Sequence, residues 1–169
     1  MRYIVFIFSA LLIFSCHKHD HDHDHAHKDG KHDDHNHGEG GCNHPAPKGG
    51  SMVTYGNDFG FLELLLNKET GEMSGYIYTG CSLTPHKIKD ETITLNLELE
   101  GEKNQLILKA QENELTKEKV GDSYTFMGQS DWLKGKDKFD VWVQPFTIKG
   151  VKQKEKHFVF PDAKGAHSH

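Results

Sequence analysis

The chain has 169 residues, 35% hydrophobic and 27% charged, with a formal net charge of −5 and 14 histidines. That length suits one small domain with one core, once its polar ends are set aside. The mild acidity excludes the electrostatic footprint of a nucleic-acid binder. Lysines such as Lys152, Lys154 and Lys156 flank Glu155 and form no basic stripe.

The first element is MRYIVFIFSALLIFSC, residues 1–16. Arg2 supplies a short positive n-region, and the apolar run behind it falls short of the roughly 20 residues of a spanning helix. The run closes on Ile13, Phe14, Ser15 and Cys16. This resembles the lipobox of bacterial lipoproteins, with a branched aliphatic residue three before the cysteine and a small one directly before it; Phe14 is a departure from the commonest pattern. The resemblance implies that residues 1–15 are a signal peptide. Cys16 then becomes the acylated N-terminus, each buried methylene contributing about 0.8 kcal/mol to anchoring. The alternative is an ordinary cleaved signal with Cys16 incidental. His17 stands where an aspartate would resemble an inner-membrane retention signal. The expectation is therefore a bacterial cell-envelope protein, lipid-anchored at the outer membrane on its periplasmic or surface face.

Next comes CHKHDHDHDHAHKDGKHDDHNHGEGGCNH, which holds ten of the 14 histidines. Residues 17–44 contain no aromatic and no large aliphatic side chain. Such a segment cannot offset the entropy of ordering, so a disordered tail is expected over 16–50, ending in the linker Pro45-Ala46-Pro47-Lys48-Gly49-Gly50. In an extended chain alternate residues share one side. His17, His19, His21, His23, His25 and His27 therefore project together, interleaved with Asp20, Asp22 and Asp24. A second cluster holds His32, Asp33, Asp34, His35 and His37, with His44 beyond it. Imidazole and carboxylate bind borderline divalent metals, zinc at about 2.0–2.1 Å with four ligands. Several exchangeable ions are expected, zinc first, with nickel, cobalt or copper suiting the same donors. Binding should weaken as histidines protonate. A hydrophilic tether and a pH-responsive tail are the alternative readings of this segment.

From Met52 the apolar period is two. Ile93, Leu95, Leu97 and Leu99 alternate with Thr92, Thr94, Asn96, Glu98 and Glu100, a half-buried strand. A turn at 101–104 leads to a second strand over 105–110. Earlier, 61–66 and 73–79 flank a Gly-bearing turn over 67–72. Later strands are expected over 123–127, 139–143 and 151–160, with one helical turn at 131–133 and Pro145 at a strand end or bulge. The expected fold is all-β: a small antiparallel β-sandwich or barrel of about seven or eight strands over 51–161. Residues 162–169 are expected to be a polar C-terminal tail. Trp132, Trp142, Phe139, Phe146, Tyr76, Tyr78, Tyr124 and Phe126 are read as core rather than as a ligand pocket.

With Cys16 acylated, Cys42 and Cys81 remain. An oxidising envelope favours a Cys42–Cys81 disulfide. Alternatively, Cys42 joins His37 and His44 in a thiolate–imidazole site, or both thiols stay free. His167 and His169 repeat the His-x-His spacing and are candidates for additional metal ligands, whereas His86 and His157 read as surface residues. No GxSxG, HExxH or phosphate loop is present, and a non-enzymatic protein is expected.

The stretches PKGGSMVTYG, FLELLLNKETGEMSGYIYTG, GQSDWLKGKDKFD and TIKGVKQKEKHFVFP cover most of 47–161. In pattern they resemble small secreted β-domains found beside bacterial heavy-metal efflux systems. Where those relatives carry a histidine before the glycine pair, this chain has Lys48. The resemblance implies a metal-handling context, with a metal transporter or efflux adaptor as partner. The rival is a β-sandwich interaction module for protein or glycan, tethered by its tail.

Overall fold

The computed structural model describes residues 45–168, with side chains described for 45–161. The expected signal segment, Cys16, Cys42 and the histidine-rich residues 17–44 lie outside the described residues, as does His169.

The described chain is all-β. Twelve strands run β1 (Ser51–Tyr55), β2 (Gly60–Asn67), β3 (Glu72–Thr79), β4 (Thr84–Pro85), β5 (Thr92–Leu99), β6 (Glu102–Ala110), β7 (Thr125–Gln129), β8 (Phe139–Val143), β9 (Thr147–Ile148), β10 (Val151–Lys152), β11 (Lys156–Phe160) and β12 (Asp162–Ser168). A single 3-10 turn, Asp131–Leu133, sits between β7 and β8. The main sheet is antiparallel in the order β1-β2-β3-β7-β6-β5-β8-β11-β12, with β4 attached to β3. The far strand β12 comes back alongside β1, and the Ser51 hydroxyl donates to the Pro161 carbonyl across that join. The sheet is thus a nearly closed barrel rather than two stacked layers, an arrangement that leaves little unpaired edge.

The period of two places the core. Ile93, Leu95, Leu97 and Leu99 of β5 point inward, as do Leu106 and Leu108 of β6 and Phe139, Val141 and Val143 of β8. They meet Leu62, Leu64, Met73, Ile77 and Phe126 from the opposite wall. The connection from β8 to β11 folds over the β1–β2 hairpin end. There the Phe146 ring packs edge-to-face on Tyr55 at 5.3 Å and 87°. A side chain at Gly60 would meet Ile148 Cδ1 at 2.8 Å, so it would have to displace the buried Ile148 side chain.

Several elements differ from the sequence reading, each for a local reason. The expected strand 151–160 divides into β10 and β11, because Gln153 N–H turns to bond the Phe146 carbonyl at 2.7 Å. β7 begins at Thr125 rather than at 123, because Ser123 and Tyr124 are held by the Glu118 carboxylate. The polar segment after Pro161 carries strand backbone over Asp162–Ser168 instead of forming a tail. Of the aromatic residues read as core, Phe126, Phe139, Phe146 and Tyr78 are buried. Tyr124 and Trp132 pack on the core while partly exposed. Trp142 is not core: it alternates with Val141 and Val143 and stands on the outer face.

Candidate functional site

Two places on the barrel's outside hold organised polar side chains. The first secures the segment leading into β1. Leu62 and Leu64 turn into the core, so Glu63 between them turns outward, yet it is fully buried. It is covered by the expected linker. One carboxylate oxygen accepts the Lys48 and Gly50 N–H groups at 2.8 and 2.9 Å, and the other accepts the Tyr78 hydroxyl at 3.1 Å. Burial, and then the adjoining Glu63 carboxylate, push the Tyr78 phenol far above its usual range, so it remains a proton donor. A turn closed by Gly49 N–H to the Ala46 carbonyl at 3.0 Å delivers the chain to this point. Gly50 is obligatory there, since a Cβ would stand 2.4 Å from the Leu64 carbonyl oxygen. The Lys48 ammonium lies 4.6 Å from the centre of the Tyr76 ring, a cation–π contact. The residues expected as a free linker are therefore a clamp.

The second place is an outer row crossing four strands. Gln105 of β6 stands opposite Asn96 of β5, Asn96 opposite Trp142 of β8, and Trp142 opposite His157 of β11. Directly opposed residues share a face of an antiparallel sheet. Within the row the Gln105 amide donates to Asn96 at 3.0 Å. The His157 ring stacks on the Trp142 indole at 4.4 Å and 20°. His157 Nε2 lies 2.8 Å from Asp140 Oδ1. The Gln144 amide donates to Glu155 nearby. Beside Trp142 a groove of about 380 Å³ is lined by Asn96, Asn104, Gln105 and Glu155. His157, expected as plain surface, is thus tied into an aromatic and carboxylate pair.

A third cluster is structural. The buried Glu118 accepts hydrogen bonds from the Ser123 hydroxyl at 2.8 Å and from the Tyr124 and Thr125 N–H groups at 3.0 and 2.9 Å, with Thr116 on its other oxygen. Burial opposes its charge, but these donors together outweigh burial and hold the carboxyl below its ordinary range. It ties down the loop between β6 and β7.

Cys81 lies in the turn after β3 and is disulfide-bonded. The remaining cysteines, Cys16 and Cys42, are outside the described residues. His86 follows β4 and is half-buried rather than fully solvated. Burial, and then the Lys149 charge, hold its imidazole below the usual range. His167 is placed by backbone register alone.

Among the described residues no group of three His, Cys, Asp or Glu side chains is preassembled around a metal position. No helix among them is long and apolar enough to cross a membrane. Sequence reasoning missed Glu63, although a lone carboxylate inside FLELLL was a visible anomaly. It missed the His157–Asp140 pair because only strand register brings these residues together. The chain matches no protein-family model, no curated protein and no solved structure.

Proposed function

We propose that this chain is a lipid-anchored bacterial envelope protein that binds divalent transition metal, zinc foremost, and buffers it or passes it to a transporter or efflux adaptor. The observation that carries this reading is the run of ten histidines, mostly alternating with carboxylates, directly behind a lipobox-like cysteine. A spacer needs no imidazoles, whereas borderline metals do. The engaged Cys81 supports an oxidising compartment outside the cytoplasm. The clamp of Lys48 and Gly50 on Glu63 gives such a segment a fixed point of attachment.

The test is calorimetric titration of the full chain with zinc, nickel and copper, beside a full chain carrying glutamine at the ten histidines of 17–44. Several ions bound by the first and none or one by the second is the expected result. Equal stoichiometry in both would overturn the reading. Acyl labelling that is lost in Cys16→Ser tests the anchor. The groove beside Trp142, with its amides and aromatic ring, supports a second reading as an interaction module for protein or glycan. Unchanged metal tolerance in cells carrying the glutamine variant would favour it.

A further inference from the structure

Trp142 stands on the outer face of β8, a strand paired on both sides, to β5 and to β11. On the β11 side the His157 ring stacks on the indole at 4.4 Å and 20°. Asp140 holds that imidazole, with 2.8 Å between Oδ1 and Nε2. The indole is therefore braced from one side. Toward β5 and β6 it borders the groove of about 380 Å³, together with Asn96, Gln105, Lys103 and Glu155. We propose that this groove is a saccharide-binding site for a neutral glycan, with Trp142 as its stacking platform. Such a site rests on the second reading of the groove given above and names its ligand class; it owes nothing to the histidine-rich segment.

A sugar ring offers a protein two kinds of surface. The C–H groups on its faces carry partial positive charge and stack on the negative face of an aromatic ring. The hydroxyls around its rim pair with side chains that both donate and accept, amides above all. Both kinds of partner line this groove. The Gln105 amide nitrogen donates to the Asn96 carbonyl at 3.0 Å, which fixes the two amide planes. That bond uses one group of each, so the Asn96 amide nitrogen and the Gln105 carbonyl supply a donor and an acceptor for neighbouring hydroxyls. Glu155 uses one oxygen on the Gln144 amide, and its other oxygen is a further acceptor. Lys103 and Glu155 are the charged residues of the lining, one of each sign, which favours a neutral ligand over an ionic one. The volume falls within the roughly 300–1,000 Å³ of small-ligand clefts. A peptide added as a strand is disfavoured, because β5, β6 and β8 are each paired on both edges and present no open ladder.

The full chain, isotopically labelled in micelles of a sugar-free detergent and without added metal, is titrated with trimers of glucose, mannose, galactose and N-acetylglucosamine and followed by NMR. At least one trimer is expected to shift the Trp142 indole N–H and the side-chain amides of Asn96 and Gln105 together, to saturation. Trp142→Ala is expected to weaken that binding about tenfold through loss of the platform. Gln105→Ala, at an exposed position, is expected to weaken it about threefold and keeps the test valid should the first variant not fold. Trp132→Phe, at a residue outside the groove lining, should bind as the parent chain does. No shift with any trimer, or equal binding by the parent chain and both groove variants, would overturn the site. The same signals moving with a serine- and threonine-rich peptide and with none of the sugars would also overturn it, and would leave the groove as a protein-binding surface. With no metal added, neither result bears on the reading of the histidine-rich segment.

Discussion

Glu63 and Tyr55 are both buried, and opposite outcomes follow from how each is hydrogen-bonded. Glu63 uses both oxygens, on Lys48, Gly50 and Tyr78. Removing it strands three donors at a site where water enters only if the clamp opens. Glu63→Ala is expected to cost about 2–3 kcal/mol in urea unfolding, and to raise amide exchange at Lys48 and Gly50 at least tenfold. Protection unchanged at those two amides would show that the clamp holds without the carboxylate. The Tyr55 hydroxyl is buried with no hydrogen-bond partner among the described residues. Burial alone pushes its phenol far above the usual range. Tyr55→Phe keeps the ring against Phe146 and removes the unsatisfied oxygen. It should leave stability unchanged or raise it by up to about 1 kcal/mol. A fall of more than that in thermal unfolding would reveal a partner for the hydroxyl.

At the scale of elements, close backbone approach sets the tolerances. β7 lies between β3 and β6, and Gly128 within it faces the Ile107 carbonyl. A Cβ there would stand 2.6 Å from that backbone oxygen and 3.0 Å from Leu108 Cδ2. Gly128→Ala is therefore expected to destabilise by about 1–3 kcal/mol, with the strain read as chemical-shift changes in β6 and β7. A neutral result would mean the two strands sit farther apart. Elements like the β5–β6 hairpin were legible because their alternation is clean: every second residue of Ile93–Leu99 is apolar, and those residues are the buried ones. The start of β7 and the β10–β11 break were not, because Glu118 and Gln153 redirect the backbone through bonds that no local pattern announces. The barrel's closure was legible only as one of two options, since period two is common to sandwiches and barrels. The histidine-rich segment is plain in composition. The His157–Asp140 pair depends on β8 and β11 being neighbours, which sequence order does not reveal.

For the whole molecule, acid should act on the proposed metal binding and on folding at different pH. Imidazole ligands with unperturbed values near 6.5 lose metal as pH falls through that range. His86 is held below its ordinary 6.5 by burial and then by Lys149. Its contribution to stability is present above 6.5 and is lost as pH falls through the lower folded value. Glu118 behaves in the same sense at lower pH: its carboxyl is held below the ordinary 4.5. The stability it contributes is full above 4.5 and disappears as pH falls through the folded value, when the unfolded chain already carries the proton. Between these ranges the zinc of the proposed function should be shed while the strands persist. Zinc release followed with a fluorescent chelator is expected to finish well before the far-ultraviolet circular dichroism of the barrel changes. Glu118→Gln should lower stability at pH 7 by about 1–2 kcal/mol, because an amide nitrogen cannot accept the Thr116 hydroxyl, and should flatten the dependence below pH 4.5. Coincident loss of metal and strand signal would instead mean that the bound ion holds the barrel together, which would locate the dominant metal contribution on the barrel itself.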